Sequence, residues 1–370
     1  MAEALQKVSE LLLRCNKCGF CLAGCPIYKV TGIEWASARG RLTLLRSVLD
    51  NELELNELAE PISNCLTCGC CVDHCPSGVK TDEFILKARA DLLKEQGQRW
   101  TQRLICHKLL PNPSRLQRLA KLLGWLQVSG LRSIARHLGL TRLLGDFSKA
   151  EHIFPSMHSS HRINSVALPK PEHPRYRVAY FAGCIGAYVT PQVAEAAIRV
   201  LNKHDLEVVI PEFLCCGMPA YGYGEIEPTL TMARKNIELA CSLEVDAVIT
   251  TCATCGSMLK RYPELLNDDA NFSAQVNSFA GKVRDISEFL IDIGLVTEMG
   301  SLKYKVTYHD PCHLGRFQKV TSQPRQIIQS IPGVEFVEMA ESNVCCGAAG
   351  SFVLGHYDLS MKVLENKMNR

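Results

Sequence analysis

Short apolar runs alternate with helical patterns throughout the second half of the chain. Three runs lead into cysteines: RVAYFAGCIGAY at 177–188, LEVVIPEFLCCGMP at 206–219 and DAVITTCATCG at 246–256. The segments VAEAAIRVLNKH and ARKNIELACSLE between them carry apolar residues at helical spacing. Strands alternating with helices predict a parallel α/β sheet, in which ligands bind at the carboxyl ends of the strands. We therefore expect five thiols to converge on one site: Cys184, Cys215, Cys216, Cys252 and Cys255.

The same pattern begins again towards the carboxyl end of the chain. KVTYHDPCHLGR at 305–316 corresponds to the first run, with Cys312 in place of Cys184. VEFVEMAESNVCCGAAG at 334–350 corresponds to the second run and repeats its CCG tripeptide. The nearly constant offset indicates an internal duplication. A third limb at that offset would lie beyond Arg370, so we expect the second unit to lack its distal C-x2-C.

The second unit is therefore the weaker candidate site. Its possible ligands are Cys312, Cys345 and Cys346. His309 and His313 flank Cys312, and we expect them to position it, with direct ligation or proton transfer as the alternative.

Two cysteine runs of one spacing occupy the first part of the chain. Residues 15–26 read CNKCGFCLAGCP and residues 65–76 read CLTCGCCVDHCP, and both match C-x2-C-x2-C-x3-C-P. Thiolates at this spacing surround cuboidal [4Fe–4S] clusters, three from one run and the fourth from the other. One cluster is expected on Cys15, Cys18, Cys21 and Cys75, and the second on Cys65, Cys68, Cys71 and Cys25. Zinc is disfavoured because such short runs would crowd a single tetrahedral ion.

Several residues around these runs have more than one interpretation. Cys70 is adjacent to a ligand and is expected to be a bystander, with ligation as the alternative. Residues 37–58 carry Arg39, Arg41 and Arg46 with leucines at helical spacing. This predicts an amphipathic helix that packs over the clusters. Alternatively, the arginines offset the negative charge of the clusters, which would raise the reduction potential.

A basic segment at 101–150 follows, with nine Lys or Arg residues against a single acid, Asp146. Its leucines predict two or three amphipathic helices, interrupted at Pro111 and Pro113. Three interpretations stay open: surface helices that pack on the ferredoxin-like part, docking onto an acidic partner subunit, or contact with an anionic membrane surface. Nucleic-acid binding is not favoured, because no recognition motif accompanies the charge. LPKPEHPRYR at 168–177 reads as a linker.

Composition narrows the class of protein. The chain has 370 residues, 47% hydrophobic residues and a formal net charge of +3, as is ordinary for a globular protein. It has no apolar stretch long enough for a membrane span, and its first residues do not resemble a signal peptide. Its 19 cysteines are clustered, which indicates a metalloprotein of a reducing compartment. Cys106 and Cys241 have no motif around them and are expected to be buried thiols.

These patterns predict an α+β multidomain protein with four segments. Residues 1–100 form a helical domain for two [4Fe–4S] clusters, and residues 101–175 form the basic connector and linker. Residues 176–300 and 301–370 form two α/β cysteine-rich units with parallel strands.

The order of these motifs resembles the iron–sulfur subunits of glycolate oxidase (glycolate dehydrogenase). The resemblance covers essentially the whole chain and is carried by RCNKCGFCLAGCP, NCLTCGCCVDHCPSGV, VCCGAAGS and ENKMN. Related families are the corresponding subunit of anaerobic glycerol-3-phosphate dehydrogenase and the subunits of heterodisulfide reductase. In heterodisulfide reductases, similar five-cysteine units hold noncubane [4Fe–4S] clusters that cleave disulfides. The resemblance gives that role to Cys184, Cys215, Cys216, Cys252 and Cys255.

The resemblance implies an oxidoreductase subunit that transfers electrons beside a separate FAD-binding subunit. The chain itself shows no G-x-G-x-x-G after a strand, in agreement with FAD on the partner. Electrons from glycolate, or a related hydroxy acid such as lactate, would pass through the clusters to a quinone or other acceptor. The alternatives are a thiol–disulfide redox enzyme and the glycerol-3-phosphate dehydrogenase subunit. The expected location is cytoplasmic, with peripheral contact to the inner face of the cytoplasmic membrane through 101–150 as an addition.

Overall fold

The computed structural model describes residues 3–6, 9–129, 149, 171–296 and 298–369. Its amino-terminal part is built from short helices. They are Glu3–Gln6, Ser9–Leu12, Phe20–Gly24, Pro26–Thr31, Ala38–Leu49, Ala59–Ser63, Cys70–Asp73 and Thr81–Gln96, with 3-10 turns at Glu34–Ala36 and Leu55–Leu58. A helix over much of the predicted 37–58 range is thus confirmed, although it ends at Leu49.

The core of this part forms where two longer helices meet. Helix Ala38–Leu49 begins at Ser37, whose side chain accepts a hydrogen bond from the Gly40 N–H and so caps the helix. Its inner face contributes Leu42 and Leu45 to an apolar cluster with helix Thr81–Gln96. Cysteines of both runs pack against this cluster, so the core fixes the position of the two cysteine loops relative to each other.

The connector begins with helix Trp100–Arg103, continues as a π-helix over Leu104–Leu109 and resumes as helix Pro113–Val128. The break lies at the two prolines, as the sequence predicts. Cys106 and Leu110 pack mainly into the core of the first cysteine-rich unit rather than onto the ferredoxin-like part. The remainder of the basic segment, apart from Lys149, and the first residues of the 168–177 linker lie outside the described residues.

The first cysteine-rich unit contains a four-stranded parallel sheet. Its strands are β1 (Tyr176–Tyr180), β2 (Leu206–Val209), β3 (Ala247–Thr250) and β4 (Val283–Asp285), in the order β2-β1-β3-β4. In the register, Val178 of β1 lies opposite Val208 and Ala247. The predicted parallel α/β arrangement is therefore confirmed.

Helices cover both faces of this sheet. They are Gly183–Tyr188, Pro191–Lys203, Met218–Gly222, Ile226–Ser242, Ala253–Leu266, Ser273–Lys282 and Ile286–Ile293. Because both faces are covered, successive residues of β1 are buried, from Val178 through Tyr180. The carboxyl ends of β1, β2 and β3 point towards the five predicted thiols.

The second unit repeats part of this design. Strands β5 (Lys305–Val306) and β6 (Glu335–Phe336) pair in parallel, as β1 and β2 do. Its helices are Cys312–Gly315, Ser322–Ser330, Phe352–Gly355 and Tyr357–Met368. The first of these packs on helix Ala253–Leu266 and the last on helix Pro26–Thr31. The second unit therefore contacts both the first unit and the ferredoxin-like part.

Candidate iron–sulfur sites

An open cavity lies between the two amino-terminal cysteine runs. Its lining includes the four thiols that the spacing assigns to one cluster: Cys15, Cys18, Cys21 and Cys75. Cys71, Gly19, Pro76 and Val79 are also part of the lining. Soft thiol donors from both runs around one space are the donor set of a cubane cluster, so these residues fit such a group.

Backbone N–H groups are directed at the sulfur atoms of this cavity. The Arg39 N–H, in the first turn of helix Ala38–Leu49, donates to Cys21, and the Val79 N–H lies 3.3 Å from Cys75 Sγ. First-turn N–H groups have no partner within the helix and carry the positive end of its dipole. Burial raises the pKa of Cys21, and the hydrogen bond from Arg39 works against this rise. The helix terminus therefore favours a thiolate.

Both cysteine runs adopt the same turn. Gly19 and Gly69 occupy equivalent positions with φ of 88° and 72°, and each immediately precedes a short helix. Lys17 and Thr67, two residues earlier, also have positive φ. Glycine adopts this left-handed conformation without the strain that a Cβ atom causes. The repeated turn explains why one spacing places three thiols of each run around a common centre.

The four thiols assigned to the second cluster also lie within electrostatic reach of one another. Burial raises the pKa of Cys71, and the charges of Cys68, Cys65 and Cys25 raise it further. The Thr67 N–H lies 3.4 Å from Cys65 Sγ. The structure thus brings together the set that includes Cys25 of the opposite run.

The buried Arg41 and the partly buried Arg89 border this second set. Arg41 is 2% exposed and donates through Nε to the Pro61 carbonyl at 2.6 Å, while its Nη2 has no hydrogen-bond partner among the described residues. Burial raises the pKa of Cys25, and the positive charge of Arg41 opposes that rise. Arg89 donates through Nη2 to the Cys65 carbonyl at 2.7 Å. The charge of Arg41 therefore acts on a thiol of this set.

The five thiols beyond the ends of β1, β2 and β3 lie next to one another. Cys184 contacts Cys215, Cys215 contacts Cys216, and Cys216 contacts Cys255. Cys255 completes the chain with Cys252, whose sulfur also lies 3.4 Å from the Cys255 N–H. All five residues that the strand pattern singles out are brought together.

The five thiols shift one another's pKa values in different directions. Hydrogen bonds from Cys215 and Cys255 lower the pKa of Cys216 to about 6, and the bond from Cys255 lowers that of Cys252 to about 7. The bond to Cys215 raises the pKa of Cys184. The group therefore holds thiolates at neutral pH, and the thiolate is the form that binds metals and acts as a nucleophile.

The two adjacent cysteines of the second unit contact different residues. Cys345 contacts Cys312 and also Cys68 of the ferredoxin run. Cys346 faces the other way, and its hydrogen bond with His309 lowers its pKa. The strand pattern predicts the grouping within the second unit but contains no signal for the contact with Cys68.

His313 lies where the first and second cysteine-rich units contact each other. Its Nδ1 lies 3.2 Å from Ser257 Oγ, and its ring stacks on Phe317 with centroids 5.1 Å apart. Burial, together with the charge of Arg261, lowers the pKa of His313 to about 4. The ring is therefore neutral at neutral pH and acts as a packing group.

Two cysteines outside the motifs differ in environment. Cys106 is buried, as predicted, and burial raises its pKa to about 12. The prediction for Cys241 is wrong, because this side chain is exposed. It lies in the last turn of helix Ile226–Ser242, next to Ala240, which enters the core. Since successive helical residues point about 100° apart, Cys241 turns outward where Ala240 turns inward.

The outer surface of the connector combines apolar and basic side chains. Trp100 and Trp125 are 76% and 59% exposed, and Leu104, Ile105 and Leu122 are also exposed. No Asp or Glu occurs between residues 97 and 129. Within the described ranges, no helix is long and apolar enough to span a membrane.

Three family models match successive parts of the chain. A 4Fe-4S dicluster domain matches residues 11–79, and a cysteine-rich domain matches residues 178–260 and 306–370. The linker region of the glycolate oxidase iron-sulfur subunit matches residues 97–154. The order of the three matches follows the order of the sites.

Curated proteins match nearly the full length of the chain. A "Probable glycolate oxidase iron-sulfur subunit" of Bacillus subtilis is 35% identical, covering 96% of this chain and 83% of the relative. The "Glycolate oxidase iron-sulfur subunit" of Escherichia coli is 30% identical, covering 100% and 86%. A subunit of the dihydromethanophenazine:CoB--CoM heterodisulfide reductase of Methanosarcina mazei is 27% identical, covering 96% and 82%. No solved structure matches.

Proposed function

Because the chain belongs to the family of glycolate oxidase iron–sulfur subunits, we propose that it is the electron-transfer subunit of a flavin-linked 2-hydroxy-acid dehydrogenase. The observation that carries this proposal is the cavity between the two cysteine runs, whose lining includes four thiols in the crossed pattern of a two-cluster ferredoxin, together with Cys71 of the neighbouring set. Glycolate is the proposed donor, and lactate is the related one. Oxidation of the donor belongs to FAD on a partner subunit.

Two [4Fe–4S] clusters are proposed as resident groups. The first takes Cys15, Cys18, Cys21 and Cys75, and the second takes Cys65, Cys68, Cys71 and Cys25. When bound, such clusters accept and release one electron each. The Arg39 N–H and the Arg41 guanidinium supply positive charge at the first and second sets. These groups favour the reduced, more negative state of each site.

The flavoprotein is proposed to dock beside the first set. Cys18 is exposed, and the nearby side chains of Leu13 and Phe20 are 62% and 64% exposed. Apolar groups at the mouth of an open site are typical of protein interfaces. A redox partner seated there would lie next to the cavity, whereas the second set lies under the arginines and the second unit.

The acceptor is proposed to be a quinone at an anionic membrane surface, reached through the connector. Its inner side shares a core with Cys215 and Cys216, and its outer side presents Trp100 and Trp125 among basic residues. Tryptophan and basic side chains together favour the interface of an anionic bilayer. An acidic protein partner would use the charge but would not require two highly exposed tryptophans.

Vesicle binding tests this surface. We expect the purified chain to cosediment with vesicles containing phosphatidylglycerol and to bind phosphatidylcholine vesicles weakly. The double substitution Arg118→Glu and Lys121→Glu should weaken binding by about tenfold or more, because each basic residue near an anionic surface contributes about 1 kcal/mol. Tyr304→Ser, at an exposed position elsewhere, is the control. Equal binding to both vesicle types, or none to either, contradicts membrane docking.

A second function is favoured by one observation, the chain of five thiols. Cys216 and Cys252 have lowered pKa values inside a buried group, as a thiol–disulfide redox site requires. The similarity to a heterodisulfide reductase subunit also favours a thiol–disulfide redox function. Under this alternative, a cluster on the five thiols would reduce a disulfide. A glycerol-3-phosphate donor would differ only in the flavoprotein partner.

Reconstitution distinguishes these functions. The anaerobically purified chain would be combined with its flavoprotein, and reduction of a water-soluble quinone would be followed with glycolate, lactate or glycerol 3-phosphate. The proposal predicts that quinone reduction with glycolate or lactate requires the chain and is lost in Cys18→Ser. Full activity of the flavoprotein alone, or turnover of a disulfide in place of the quinone, would overturn it.

A further inference from the structure

Glu225 is a buried carboxylate outside every cysteine motif. It lies in the first cysteine-rich unit, immediately before helix Ile226–Ser242, and is 2% exposed. Its Oε2 lies 3.1 Å from His107 Nε2 and accepts a hydrogen bond from Gln98 Nε2 at 2.9 Å. Its Oε1 has no hydrogen-bond partner among the described residues. A buried carboxylate with one unpaired oxygen is costly, so packing alone does not account for this side chain.

The backbone around Glu225 is held against the ferredoxin-like part. Gly224 has φ 84°, and a Cβ atom there would lie 2.6 Å from the Arg89 carbonyl group. Arg89 Nη1 donates to the Gly222 carbonyl at 2.8 Å, and Thr229 Oγ1 donates to the Glu225 carbonyl at 2.7 Å. Because these contacts leave the backbone little room to move, the carboxylate has a fixed position beside the connector.

His107 connects this carboxylate with the surface. It belongs to the π-helix Leu104–Leu109, and its side chain is 34% exposed. A carboxylate oxygen only accepts, so Nε2 carries the hydrogen of the bond to Glu225. Nδ1 of His107 has no hydrogen-bond partner in the part of the chain that the structure describes. An imidazole fixed through one nitrogen can donate a proton from the other and take a new one from solvent.

The residue before His107 points the other way. Cys106 enters the core that also contains Cys215 and Cys216 of the five-thiol site. Burial raises the pKa of Cys106 to about 12, and the charge of Glu225 contributes to the rise. Cys106 is therefore protonated at neutral pH and does not compete with His107 for protons. Two successive connector residues thus face the core of a redox site and the surface.

The surface around His107 is apolar. Leu104 and Ile105 are each 46% exposed, and Trp100 in the preceding helix is 76% exposed. A quinone has a flat apolar ring and two carbonyl oxygens that accept hydrogen bonds. Small-molecule sites combine apolar side chains with a few polar groups that fix the orientation of the ligand. An apolar surface with one imidazole N–H therefore fits a quinone.

We propose that His107 is the proton donor of a quinone-reduction site on the outer side of the connector, with Glu225 as the residue that positions its ring. The proposal rests on the proposed function, which supplies the electrons. In each turnover the hydroxy acid loses two electrons and two protons and becomes a 2-oxo acid. The quinone gains two electrons and two protons and becomes a quinol. The electrons arrive one at a time through this chain, and His107 Nδ1 delivers each proton to a quinone oxygen.

The test compares two electron acceptors in the anaerobic complex of this chain with its flavoprotein. A water-soluble quinone takes up protons with its electrons, whereas ferricyanide takes one electron and no proton. His107→Gln should lower kcat for the quinone about tenfold or more, because a positioned acid contributes a factor of about 10²–10⁴. It should leave ferricyanide reduction unchanged. The solvent deuterium isotope effect on quinone reduction should rise, because proton delivery becomes the slow step.

Two further variants separate the role of Glu225 from a merely structural one. Glu225→Gln should lower kcat for the quinone, raise the same isotope effect and leave ferricyanide reduction unchanged. The double variant with His107→Gln should be no slower than His107→Gln alone, since residues that act as a unit are not additive. His173→Gln, at an exposed histidine of the linker, is the matched control and should change neither acceptor.

Photolabelling tests the site without any electron donor. A short-chain azidoquinone should label the tryptic peptide LICHK, which runs from residue 104 to residue 108. An excess of unlabelled quinone should prevent the labelling. Peptide mass spectrometry locates the label, and a label confined to other peptides would place the quinone elsewhere and overturn the proposal.

Other outcomes also overturn it. Unchanged quinone reduction in His107→Gln would make His107 an ordinary surface residue, and equal losses with both acceptors would give it no role in proton delivery. If Glu225→Gln does not fold, His107→Gln and the labelling decide the question, because His107 is partly exposed. Reduction of the cubanes by glycolate needs no quinone. Its failure would contradict the proposed function, whereas the labelling would still report on the quinone site.

Discussion

Arg41 is the residue whose environment most directly connects burial with redox chemistry. Its guanidinium is almost fully buried, one nitrogen lacks a hydrogen-bond partner among the described residues, and its charge acts on Cys25. A buried cation without a full set of acceptors is costly unless negative charge lies nearby. The second cluster set would supply that charge.

Replacing Arg41 should therefore lower the reduction potential of one cubane. We expect Arg41→Gln to lower it by about 60–100 mV, since removing a nearby buried charge costs the reduced state about 1.4 kcal/mol or more. Potentiometric titration followed by electron paramagnetic resonance measures the shift. The matched control is Arg46→Gln, because Arg46 is exposed and paired with Asp50 at 3.5 Å. An unchanged potential in Arg41→Gln, or an equal shift in both variants, contradicts the assignment.

For individual residues, the sequence predicts which cysteines form a local group far better than it predicts which distant residues contact them. Spacing identifies both ferredoxin sets, since three ligands of each cluster are local. The contact between Cys68 and Cys345 joins residues more than 200 positions apart, and no local pattern records such a contact. The same holds for Arg316 of the second unit, whose Nε lies 3.1 Å from a carboxylate oxygen of the distant Asp73.

The turn at Gly69 allows the ferredoxin loop to pack closely against Phe317 of the second cysteine-rich unit. A Cβ atom at this position would lie 2.9 Å from the Phe317 ring, and φ is 72°. At Gly78 φ is 63°, but no heavy atom lies within 4 Å of such a Cβ atom. A substitution at Gly78 therefore adds backbone strain alone, whereas a substitution at Gly69 adds the same strain and also disturbs the contact between the ferredoxin loop and the second unit.

Gly69→Ala should destabilise the protein more than Gly78→Ala. We expect about 1 kcal/mol for the strain alone and about 1–3 kcal/mol more where the ring must move. Thermal unfolding of both variants measures the difference, and the cluster signals show whether the loop still binds. Equal melting temperatures would show that Phe317 does not constrain the loop.

A buried ion pair joins helices Thr81–Gln96 and Ala253–Leu266. Arg261 Nη2 lies 3.1 Å from Asp82 Oδ2, and both side chains are largely buried. Burial raises the pKa of Asp82, although Arg261 opposes the rise. Removing Arg261 would raise this pKa further. When a carboxyl group has a higher pKa in the folded state than in the unfolded state, the folded protein loses stability as the pH rises through the folded-state pKa.

Arg261→Met should consequently destabilise the protein more at pH 8 than at pH 5. At the higher pH we expect a loss of about 3 kcal/mol, because the buried carboxylate is left unpaired. Adding Asp82→Asn to the variant should remove the pH dependence. Arg234→Met breaks the more exposed pair with Asp269 and should cost less at both pH values. A loss that is independent of pH would refute the role given to Asp82.

Among the elements, strands β1, β2 and β3 follow from the sequence because each is an apolar run before a cysteine. Strand β4 has three residues and ends in Asp285, so it carries no comparable run. It forms because pairing with β3 buries Val283. The π-helix in the connector is likewise set by packing, since Cys106 enters the core of another unit.

The whole molecule is connected by arginines at the boundaries between its parts. Arg89 donates to the Gly222 carbonyl of the first cysteine-rich unit at 2.8 Å while its other nitrogen bonds the Cys65 carbonyl. Arg316 has the corresponding position at the second unit. Each cysteine-rich unit is thus joined to the ferredoxin-like part through an arginine. The order of domains is readable from the sequence, but this arrangement is not, because it depends on tertiary hydrogen bonds.

The arrangement leads to an account in which electrons enter beside Cys18 and move inward to the cysteine-rich units. Rapid-freeze electron paramagnetic resonance of the anaerobic complex with its flavoprotein tests this most directly. After glycolate is added, reduced-cubane signals should appear within one turnover, and Cys18→Ser should prevent reduction of the cluster beyond it. If dithionite reduces both cubanes but neither glycolate nor lactate does so in the presence of the flavoprotein, the chain is not the electron carrier of a hydroxy-acid dehydrogenase.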